Sequence, residues 1–515
     1  MLFRQIARLT VVFSAISCLC CVARAQFSVV SCSHGETGVC RQANSCSQSD
    51  VQATVSASSS GGSGYASPTS FDGDGVYVPG GSCSWSSSVS WANKNINVIG
   101  SNPTISHSSN AFDVGVTNSG PSAAAFRISG FSFTGSTSGN LLNLNASSQG
   151  ASTVSNVGTA WAGFFRVDNL TYNYSSSGNV FILYGPVFGL FDHLKGTTPN
   201  NHFEQANLLD SEYNAMHAGT YSLMEGEYVG RLLSAGPGSS SPGGLGSKFM
   251  DFIESSTFNC PGNYSGAISD SESGGQRMVF RHNTLNGTCF HYAHWTRGSE
   301  WDGDLFEIYN NTYNGGANGQ FPMRFGAGTG VIFNNTITSY SDPTIHVDET
   351  RGAGGESSNG PFYDCNGSRA VDGNAGDSSA PGWPCAGQIG TACIGGNCTR
   401  STMNSLPLLL WNNGAQSGCS AGGSCTNSVT VSVDGPMGSS NAASRSMTAY
   451  IKSTPHSVSG ALNGAVDYCQ GATEPTTCGI YKNAYVPYTY PHPLASSGTT
   501  AATPPPPTNL QGVVQ

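Results

Sequence analysis

Lysine is scarce in this sequence, and charged residues of either sign are few. The 515 residues include five lysines, and Asp, Glu, Lys and Arg together make up 10% of the chain. The 30 acidic residues outnumber the 20 basic ones, so the formal net charge is −10 at pH 7. A protein that binds nucleic acid needs a basic surface to neutralise phosphates. The composition therefore excludes nucleic acid as an expected partner.

Long hydrophobic runs are missing beyond the N-terminus. The one extended apolar run, LTVVFSAISCLCCV, follows Arg4 and Arg8. It precedes the sequence ARA, which ends at residue 25. A charged start, a short apolar stretch and a small-residue cleavage site are typical of a secretory signal peptide. The run is also shorter than the roughly 20 apolar residues that a membrane-spanning helix needs. We predict that residues 1–25 are removed, which leaves an exported chain without an integral membrane segment.

The cysteine count favours disulfides over metal ligation. Three of the 17 cysteines lie in the predicted signal, which leaves 14, an even number in an exported chain. The paired Cys and His spacing of a zinc site is absent. Four pairs are close enough in sequence to form loop disulfides, although spacing does not fix the connectivity: Cys32/Cys40, Cys393/Cys398, Cys419/Cys425 and Cys469/Cys478.

The strongest pattern is a repeat between residues 250 and 340. Four segments share it: FIESSTF from Phe252, VFRHNTL from Val279, FEIYNNTY from Phe306 and VIFNNTI from Val331. They align on Ser256, Asn283, Asn311 and Asn335, at intervals of 27, 28 and 24 residues. Self-similarity at 20 to 50 residues indicates stacked repeats. We therefore predict that each segment belongs to one coil of a solenoid.

The repeat also predicts side-chain directions within a coil. The residues three positions before the aligned Ser and Asn are apolar: Ile253, Phe280, Ile308 and Ile332. Side chains alternate along a strand, so these four are expected to point inward. The recurring Asn is expected at the turn that ends the strand, where it tolerates left-handed backbone geometry and can pair with its equivalent on the next coil. This predicts an asparagine ladder.

The predicted architecture is all-β, a right-handed parallel β-helix. Residues 45–58 have the spacing of a short amphipathic helix that could cap one end of the solenoid. Weaker copies of the repeat extend the solenoid towards the N-terminus. The predicted organisation is a signal peptide at 1–25, an N-terminal cap region at 26–69, the parallel β-helix at 70–345, a Cys- and Gly-rich, disulfide-bearing extension with final coils at 346–495, and a Pro-rich tail at 496–515.

Several segments carry a resemblance to a known family. They are GDGVYVPGGSCSWSSSVSW, KNINVIG, VFGLFDHLKG, MVFRHNTLNG, EIYNNTY and GVIFNNTI. Over residues 45–345 the chain resembles the pectate lyase-like superfamily of secreted right-handed β-helix proteins, and it looks closest to uncharacterised bacterial members. The resemblance implies the fold, and the fold alone does not imply a function.

Pectate lyases carry an Asp-His pair after a strand, and an Arg-x-Pro-x-x-Arg-x-Gly run that holds the catalytic arginine. Here Asp192-His193 stands where the first motif is expected, and QFPMRFG is similar to the second. Gln320 occupies the place of the catalytic arginine, and Arg324 is one residue early for the second arginine. The paired aspartates and Gly-His-Gly run of polygalacturonases are absent, which argues against that hydrolase family.

An outward column of the predicted solenoid suits a sugar chain. We expect an exposed column of Phe191, Glu254, Arg281, Tyr309 and Phe333, with Val279, Glu307 and Val331 on the neighbouring outward column. Coils lie about 4.8 Å apart, so Glu254 and Arg281 can pair directly. Aromatic rings stack on pyranose faces, and charged groups hold hydroxyls or carboxylates. The alternative is a solvated sheet face with an ordinary ion pair.

The densest cluster of reactive side chains is CFHYAHWTRGSEWDGD, from Cys289. It holds His291, His294, Trp295, Arg297, Glu300, Trp301, Asp302 and Asp304. Removing a proton next to a carboxylate needs a base and a cation that stabilises the enolate. A histidine such as His294 is the candidate base, and Arg297, Arg281 or Arg324 is the candidate stabiliser. The alternative is a solvated polar loop.

Two acidic segments complete the candidate site. Asp302 and Asp304 offer hard oxygen ligands for calcium, although two acids beside a glycine also make a turn. Asp270, in SDSESGGQR, is placed near the groove in a turn. No cofactor is required, and calcium is the one candidate.

These observations predict a secreted carbohydrate-active protein with a polysaccharide as its partner. The first hypothesis is a lyase that cleaves a uronate-containing polysaccharide by β-elimination. The alternative is a non-catalytic glycan-binding or cell-surface structural protein that uses the same face.

Overall fold

The computed structural model describes residues 26–59, 64–67, 70–116, 125–135, 139–145, 164–174, 180–184, 188–197, 204–207, 245–246, 250–261, 266–269, 277–293, 305–315, 321–325, 328–342, 345–347, 389–393, 403–405, 407–415, 431–433, 451–455, 464–478 and 485–496. The described residues do not include the predicted signal peptide or most of the Pro-rich tail. They also leave out at least one cysteine of each of two predicted pairs, Cys393/Cys398 and Cys419/Cys425.

Short strands dominate the described residues. The largest sheet, sheet A, has thirteen: β1 (Phe27–Val30), β2 (Cys40–Ala43), β5 (Asp74–Val78), β8 (Ile96–Gly100), β11 (Phe126–Ser129), β14 (Phe164–Asp168), β17 (Phe188–Asp192), β20 (Asp251–Glu254), β23 (Arg277–Arg281), β26 (Leu305–Tyr309), β29 (Thr329–Phe333), β34 (Leu408–Trp411) and β37 (Tyr468–Gly471).

Sheet B has ten strands: β6 (Ser82–Trp85), β9 (Thr104–His107), β12 (Ser132–Gly135), β15 (Thr171–Tyr174), β18 (Lys195–Thr197), β21 (Thr257–Cys260), β24 (Thr284–Gly287), β27 (Thr312–Asn314), β30 (Thr336–Thr338) and β35 (Gly414–Ala415). Sheet C has five: β7 (Val89–Ala92), β10 (Phe112–Gly115), β13 (Leu142–Asn145), β16 (Phe181–Tyr184) and β19 (Glu204–Asn207). Sheet D also has five: β22 (Gly266–Ser269), β25 (Cys289–Ala293), β28 (Met323–Phe325), β31 (Ile345–Val347) and β36 (Val431–Val433).

Two small antiparallel pairs lie outside these sheets. They are β3 (Gly64–Ser67) with β4 (Ser70–Asp72), and β32 (Thr391–Cys393) with β33 (Met403–Ser405). The described helices are α1 (Gln48–Ala57) and a 3-10 turn at Pro493–Ser496. No helix among the described residues is long and apolar enough to cross a membrane.

The pairing pattern confirms the predicted mostly-β protein with long parallel sheets. Consecutive strands fall on different sheets: β8, β9 and β10 belong to sheets A, B and C, whereas β23, β24 and β25 belong to sheets A, B and D. Within each large sheet, neighbouring strands come from successive coils and pair in parallel, apart from the antiparallel pair β1 and β2. This arrangement is consistent with a parallel β-helix. Strands β34, β36 and β37 show that the stacking continues beyond residue 345.

The predicted short helix is confirmed at one end of the stack. Ser47 is its N-cap, and the Ser47 hydroxyl accepts a hydrogen bond from the amide of Asp50. Such a cap satisfies one of the free amides of the first turn. Val51 and Val55 are buried, and the helix packs against the first strands of sheets A, B and C. The helix therefore covers apolar side chains that a terminal coil would expose.

The predicted inward positions are also confirmed, with one correction. Ile253, Phe280, Ile308 and Ile332 pair in register along sheet A and are fully buried in the main core. Phe191 was expected in the outward column, but it pairs with Ile253 and lies in the same core. The outward position on that strand is Asp192, one residue later. The prediction for Phe191 was wrong by one residue, which reverses the direction of a strand side chain.

A buried asparagine ladder follows the strands of sheet A, as predicted. The side-chain oxygens of Asn283, Asn311, Asn335 and Asn413 accept hydrogen bonds from the backbone amide of the equivalent residue one coil earlier. Their side-chain amides donate to the carbonyls of Ile253, Phe280, Ile308 and Ile332. The left-handed backbone belongs to the preceding residue instead, as in Asn310 (φ 57°) and Asn334 (φ 54°). The ladder residues thus pair as predicted but do not occupy the strained position.

Four disulfides lie among the described residues. Cys32–Cys40 and Cys469–Cys478 confirm two predicted loop pairs, while Cys46–Cys83 and Cys260–Cys289 join more distant residues. Cys260 and Cys289 lie on β21 and β25, so this bond links consecutive coils.

Peptide mapping tests these disulfides directly. Digestion of the purified protein under non-reducing conditions is expected to yield the four linked peptide pairs, because the paired sulfurs are already in bonding contact. Mass spectrometry before and after reduction is the measurement. Alkylation of Cys46 or Cys83 without prior reduction would contradict the Cys46–Cys83 bond, which the spacing of the cysteines does not indicate.

Candidate functional site

The outward face of sheet A is covered at one end by the C-terminal segment, residues 485–495. Tyr485, Leu494 and Ala495 form a second apolar cluster with sheet residues that include Phe252 and Val331. This cluster is separate from the main core, which lies on the inward face of the same strands. The sheet is therefore packed on both faces along this stretch.

This cover corrects the prediction of an exposed sugar-binding column. Glu254, Arg281, Tyr309 and Phe333 do follow one another on the outward face, but their exposed fractions are 1%, 0%, 2% and 7%. Glu307, on the neighbouring column, is also fully buried, as are Val279 and Val331. A sugar chain cannot stack on these side chains while the C-terminal segment is in place.

Arg281 ties the C-terminal segment to the sheet. Its guanidinium donates to Glu254 at 2.8 Å, which confirms the predicted pairing, and to the Tyr309 hydroxyl at 2.9 Å. It also donates to the backbone carbonyls of Tyr488 at 2.6 Å and Thr489 at 2.8 Å. These four hydrogen bonds engage the nitrogens of the guanidinium with protein groups.

The two acids of this face are likewise held by the protein. The amide of His492 donates to Glu254 at 2.8 Å, and burial raises the pKa of Glu254 although Arg281 opposes that shift. Glu307 accepts from the amide of Gly246 at 2.6 Å and from the hydroxyl of Tyr485. These contacts lock the covered face in place.

The remaining predicted site residues are distributed elsewhere. Arg324 is buried on β28 of sheet D, in register with His346, and so lies on a different sheet from Arg281. His291 points into the main core against Phe280 and Tyr313, and burial lowers its pKa to about 3. The other candidates lie outside the described residues: Asp270, His294, Trp295, Arg297, Glu300, Trp301, Asp302, Asp304 and Gln320.

The calcium hypothesis for Asp302 and Asp304 therefore stays a prediction. Among the described residues, one group of potential metal ligands comes close together, namely Cys32, Glu36 and Cys40. The two cysteines are joined in a disulfide, so they offer no thiolates.

A second set of buried charges lies further along the same face, towards the N-terminus. Arg127 makes two hydrogen bonds of 2.6 Å to the carboxylate of Asp168, on the next coil. Arg166 repeats this geometry with Asp192, again one coil on, with two bonds of 2.9 Å. Arg166 also donates to the carbonyl of Ala495 at 3.2 Å, so the C-terminal segment reaches this set. Bidentate pairs of this kind fix the carboxylates in position.

The buried network reaches the surface at His193. Its Nδ1 lies 2.6 Å from Oδ2 of Asp192, and the imidazole side chain is 30% exposed. Arg166 and His193 together hold the pKa of Asp192 at about 2, against the opposing effect of its burial. The hydrogen bond to Asp192 raises the pKa of His193 above its ordinary value, although burial opposes the shift. The carboxylate is thus ionised and orients the ring, so Nδ1 donates and Nε2 is the nitrogen available for proton transfer.

His193 belongs to a line of residues with left-handed backbone, which we name the turn column. Its members end successive strands of sheet A: Asn169, His193, Ser255, His282, Asn310, Asn334 and Asn412, with φ between 49° and 57°. The left-handed geometry turns the backbone out of sheet A at the end of each strand. The side chain of the turn residue therefore lies at the edge of the sheet. The side chains of this column are half-buried or exposed, in contrast to the covered face beside them.

The C-terminal segment also touches the turn column. The ring of Tyr490 stacks on His282 at 3.6 Å, and its hydroxyl lies 3.0 Å from the Ser255 hydroxyl. Burial and the nearby Arg281 lower the pKa of His282 to about 4, so its ring is neutral at physiological pH. The turn column thus presents a histidine oriented by a carboxylate and a neutral histidine, two coils apart.

Sequence reasoning found part of this site. It placed Asp192-His193 in a motif position, but it did not identify Arg127, Arg166 or Asp168. A signal existed, because FRIS and FRVD place arginine at the same position of successive coils, and FRVD and GLFD do the same for aspartate. That alignment predicts charges stacked on one face.

Comparison with known proteins does not assign the chain to a family. No protein-family model matches the sequence, and no curated protein is detectably similar to it.

Proposed function

We propose that this protein is an extracellular, carbohydrate-active right-handed parallel β-helix protein of the pectate lyase-like type, which acts on a uronate-containing polysaccharide along the turn column. The parallel coils support the fold, and crossovers between parallel strands are right-handed in nearly all proteins. Four disulfides support an oxidising, extracellular location.

The observation that carries the proposal is the geometry of His193. Its ring is held by Asp192, which is held in turn by Arg166, and its side chain is 30% exposed at a sheet edge that repeats once per coil. An extended polymer matches such a linear edge. An oriented imidazole with a pKa above its ordinary value can accept or donate a proton near neutral pH.

In β-elimination, His193 Nε2 takes the proton from the carbon next to the uronate carboxylate. The electron pair of that C–H bond forms the carbon–carbon double bond, and the glycosidic C–O bond breaks. The leaving oxygen then takes the proton from the His193 imidazolium, which restores the neutral base. Asp192 stabilises the imidazolium that forms, because its carboxylate remains ionised. Calcium, if required, would neutralise the uronate carboxylate.

The second candidate is a glycan-binding protein without catalysis. The observation that favours it is the state of the guanidinium groups on the outward face of sheet A. Arg127, Arg166 and Arg281 are buried and paired with carboxylates, so none of the three is placed to stabilise an enolate. Binding through the polar side chains of the turn column needs no such cation.

An assay on a panel of uronate polysaccharides, with and without calcium, separates the two candidates. Ultraviolet absorbance detects unsaturated products, and a parallel pull-down detects binding. Elimination predicts rising absorbance on one substrate. Binding without products supports the second candidate. The absence of both binding and products would contradict both candidates.

Replacing His193 with alanine is expected to lower elimination at least about 100-fold, since a positioned base contributes that much. The control is His346→Gln, because His346 is also paired with an aspartate, Asp342, but lies on sheet D. We expect the control to keep its activity. Loss of activity in His346→Gln with retention in His193→Ala would place the reaction on sheet D beside Arg324.

The pH profile provides an independent check. The base must be neutral, so the rate is expected to rise with pH through the raised pKa of His193 and then to level off. Asp192→Asn removes the cause of the shift, so the rise should move to lower pH. A profile that is identical in the two proteins would exclude His193 as the base.

A further inference from the structure

Ser255 lies between two histidines of the turn column. Asp192 pairs in register with Glu254, so His193 and Ser255, which follow them, occupy neighbouring coils, and His282 occupies the next one. Neighbouring parallel strands are about 4.8 Å apart. From this placement we infer that Ser255, His193 and Asp192 form a nucleophile, base and orienting carboxylate that hydrolyse carboxylic esters with a small acyl group.

The backbone at Ser255 is unusual for its residue type. The other left-handed residues of the turn column are Asn or His, which tolerate this conformation better than most residues. Ser255 adopts the same geometry with φ 53°. Strained positions of this kind concentrate at functional sites, where they present a side chain in a fixed direction. Here the turn places Ser255 at the end of its strand, half-buried and one coil from His193.

His193 is the better base of the two flanking histidines. Asp192 orients its ring through Nδ1, and Arg166 holds Asp192 with two hydrogen bonds. His282 instead stacks on Tyr490, and its Nε2 accepts a hydrogen bond from Asn310 at 3.4 Å. The order of groups around His193 is that of a nucleophile, a base and a third group that orients the base.

Two backbone amides at this edge differ from their neighbours and are assigned to a developing oxyanion. The amides of Asn169, His282, Asn310, Asn334 and Asn412 each donate to a carbonyl of the next coil at 3.2 to 3.4 Å. Among the described residues, the amides of His193 and Ser255 make no such hydrogen bond. Amides that point at a reacting carbonyl oxygen stabilise the tetrahedral intermediate.

The reaction balances with water as the second reactant. The Ser255 oxygen attacks the ester carbonyl while His193 Nε2 takes the hydroxyl proton. The C–O bond to the alcohol breaks, and the alcohol leaves with the proton from His193. Water then attacks the acyl-serine and gives a proton to His193. The bond between the carbonyl carbon and the Ser255 oxygen breaks, the carboxylic acid leaves, and His193 returns the proton to the Ser255 oxygen.

Tyr490 contacts the Ser255 hydroxyl. The hydroxyl of Ser255 is hydrogen-bonded to that of Tyr490 at 3.0 Å, and attack on an ester requires that this bond be exchanged. The specific substrate that we infer is an acetyl ester of a sugar hydroxyl. This choice rests on the proposed function, in which the partner is a polysaccharide. The esterase chemistry itself does not depend on elimination, since it uses Ser255 and an ester that elimination does not need.

Labelling of the full-length protein with a fluorophosphonate tests the nucleophile. We expect one modification, located by peptide mass spectrometry on Ser255, together with hydrolysis of p-nitrophenyl acetate. Ser255→Gly is the main variant, because glycine accepts the left-handed backbone. It should lose the label and lower kcat/KM at least about 100-fold. The matched control is Ser339→Gly, since Ser339 is also left-handed, with φ 60°, but follows a strand of sheet B.

His193→Ala and Tyr490→Phe extend the test. The first should abolish labelling while the disulfide map stays unchanged, and the second should label faster because it frees the serine hydroxyl. Absence of label in the native protein, or label that persists in Ser255→Gly, would overturn the inference. Unsaturated products without a labelled Ser255 would support elimination and overturn the esterase inference. A labelled Ser255 without unsaturated products would support the esterase inference and count against elimination.

Discussion

Replacing Arg281 with alanine is expected to destabilise the protein by about 3–5 kcal/mol, because it removes one partner of a buried ion pair and leaves the other charge uncompensated. Glu254 is almost completely buried and has Arg281 as its cationic partner. The same change also removes two hydrogen bonds to the backbone of the C-terminal segment, at Tyr488 and Thr489. We therefore expect both a loss of stability and detachment of this segment.

The effect should depend on pH. Burial already raises the pKa of Glu254, and loss of Arg281 raises it further. A carboxyl group with a raised folded pKa contributes stability below its unfolded pKa and loses it as the pH rises through the folded pKa. The variant should therefore be least stable relative to the native protein at neutral and alkaline pH.

Urea denaturation followed by fluorescence measures the loss of stability, and hydrogen exchange of residues 485–495 measures detachment. Lys195→Ala is the control, since Lys195 is exposed on sheet B and should change stability by no more than about 0.5 kcal/mol. Unchanged exchange in the Arg281 variant would show that the apolar contacts of Tyr485, Leu494 and Ala495 hold the segment without the ion pair.

Asn311→Ala is expected to cost about 2–6 kcal/mol, because it leaves two buried backbone groups without their partners at about 1–3 kcal/mol each. The side-chain oxygen of Asn311 accepts from the amide of Asn283, and its side-chain amide donates to the carbonyl of Phe280. Both contacts are buried, so water cannot replace them without entering the core.

The structure supplies a closely matched control for this variant. Asn314 belongs to a second asparagine row on the outer side of sheet B, where its side chain bonds to Asn286 at 3.0 Å and is only half-buried. Asn314→Ala should cost about 1 kcal/mol or less, since water can replace the lost contacts. Thermal and urea denaturation of the two variants gives the comparison. Equal losses would contradict the view that burial makes the inner ladder essential.

The repeat was predictable because its information is local. The interval of about one coil fixes which residues pair, and alternation along each strand fixes which face inward. Ile253 and Asn283 could therefore be assigned to the core and the ladder from spacing alone. Phe191 shows the limit of this reasoning, since an error of one residue in alignment changes the face on which a side chain lies.

The position of the left-handed residue was harder to predict. Asn310 and Asn311 are both asparagines, and each fits a strand-ending turn by type. The structure assigns the positive φ to Asn310 and the ladder to Asn311. His193, Ser255 and His282 have that same position without the asparagine that marks it on the other coils, so the turn column could not be recognised from composition.

The sequence by itself determined the parallel coils, the inward apolar positions and the asparagine ladder, because each depends on spacing between neighbouring repeats. Only the tertiary structure decided which outward face is open. His492 contacts Glu254 across 238 residues, and Arg281 contacts Tyr488 across 207. Contacts at such separations leave no periodic pattern in the chain. The covered face around Arg281 and the exposed edge at His193 were therefore distinguished by the docking of one distant segment.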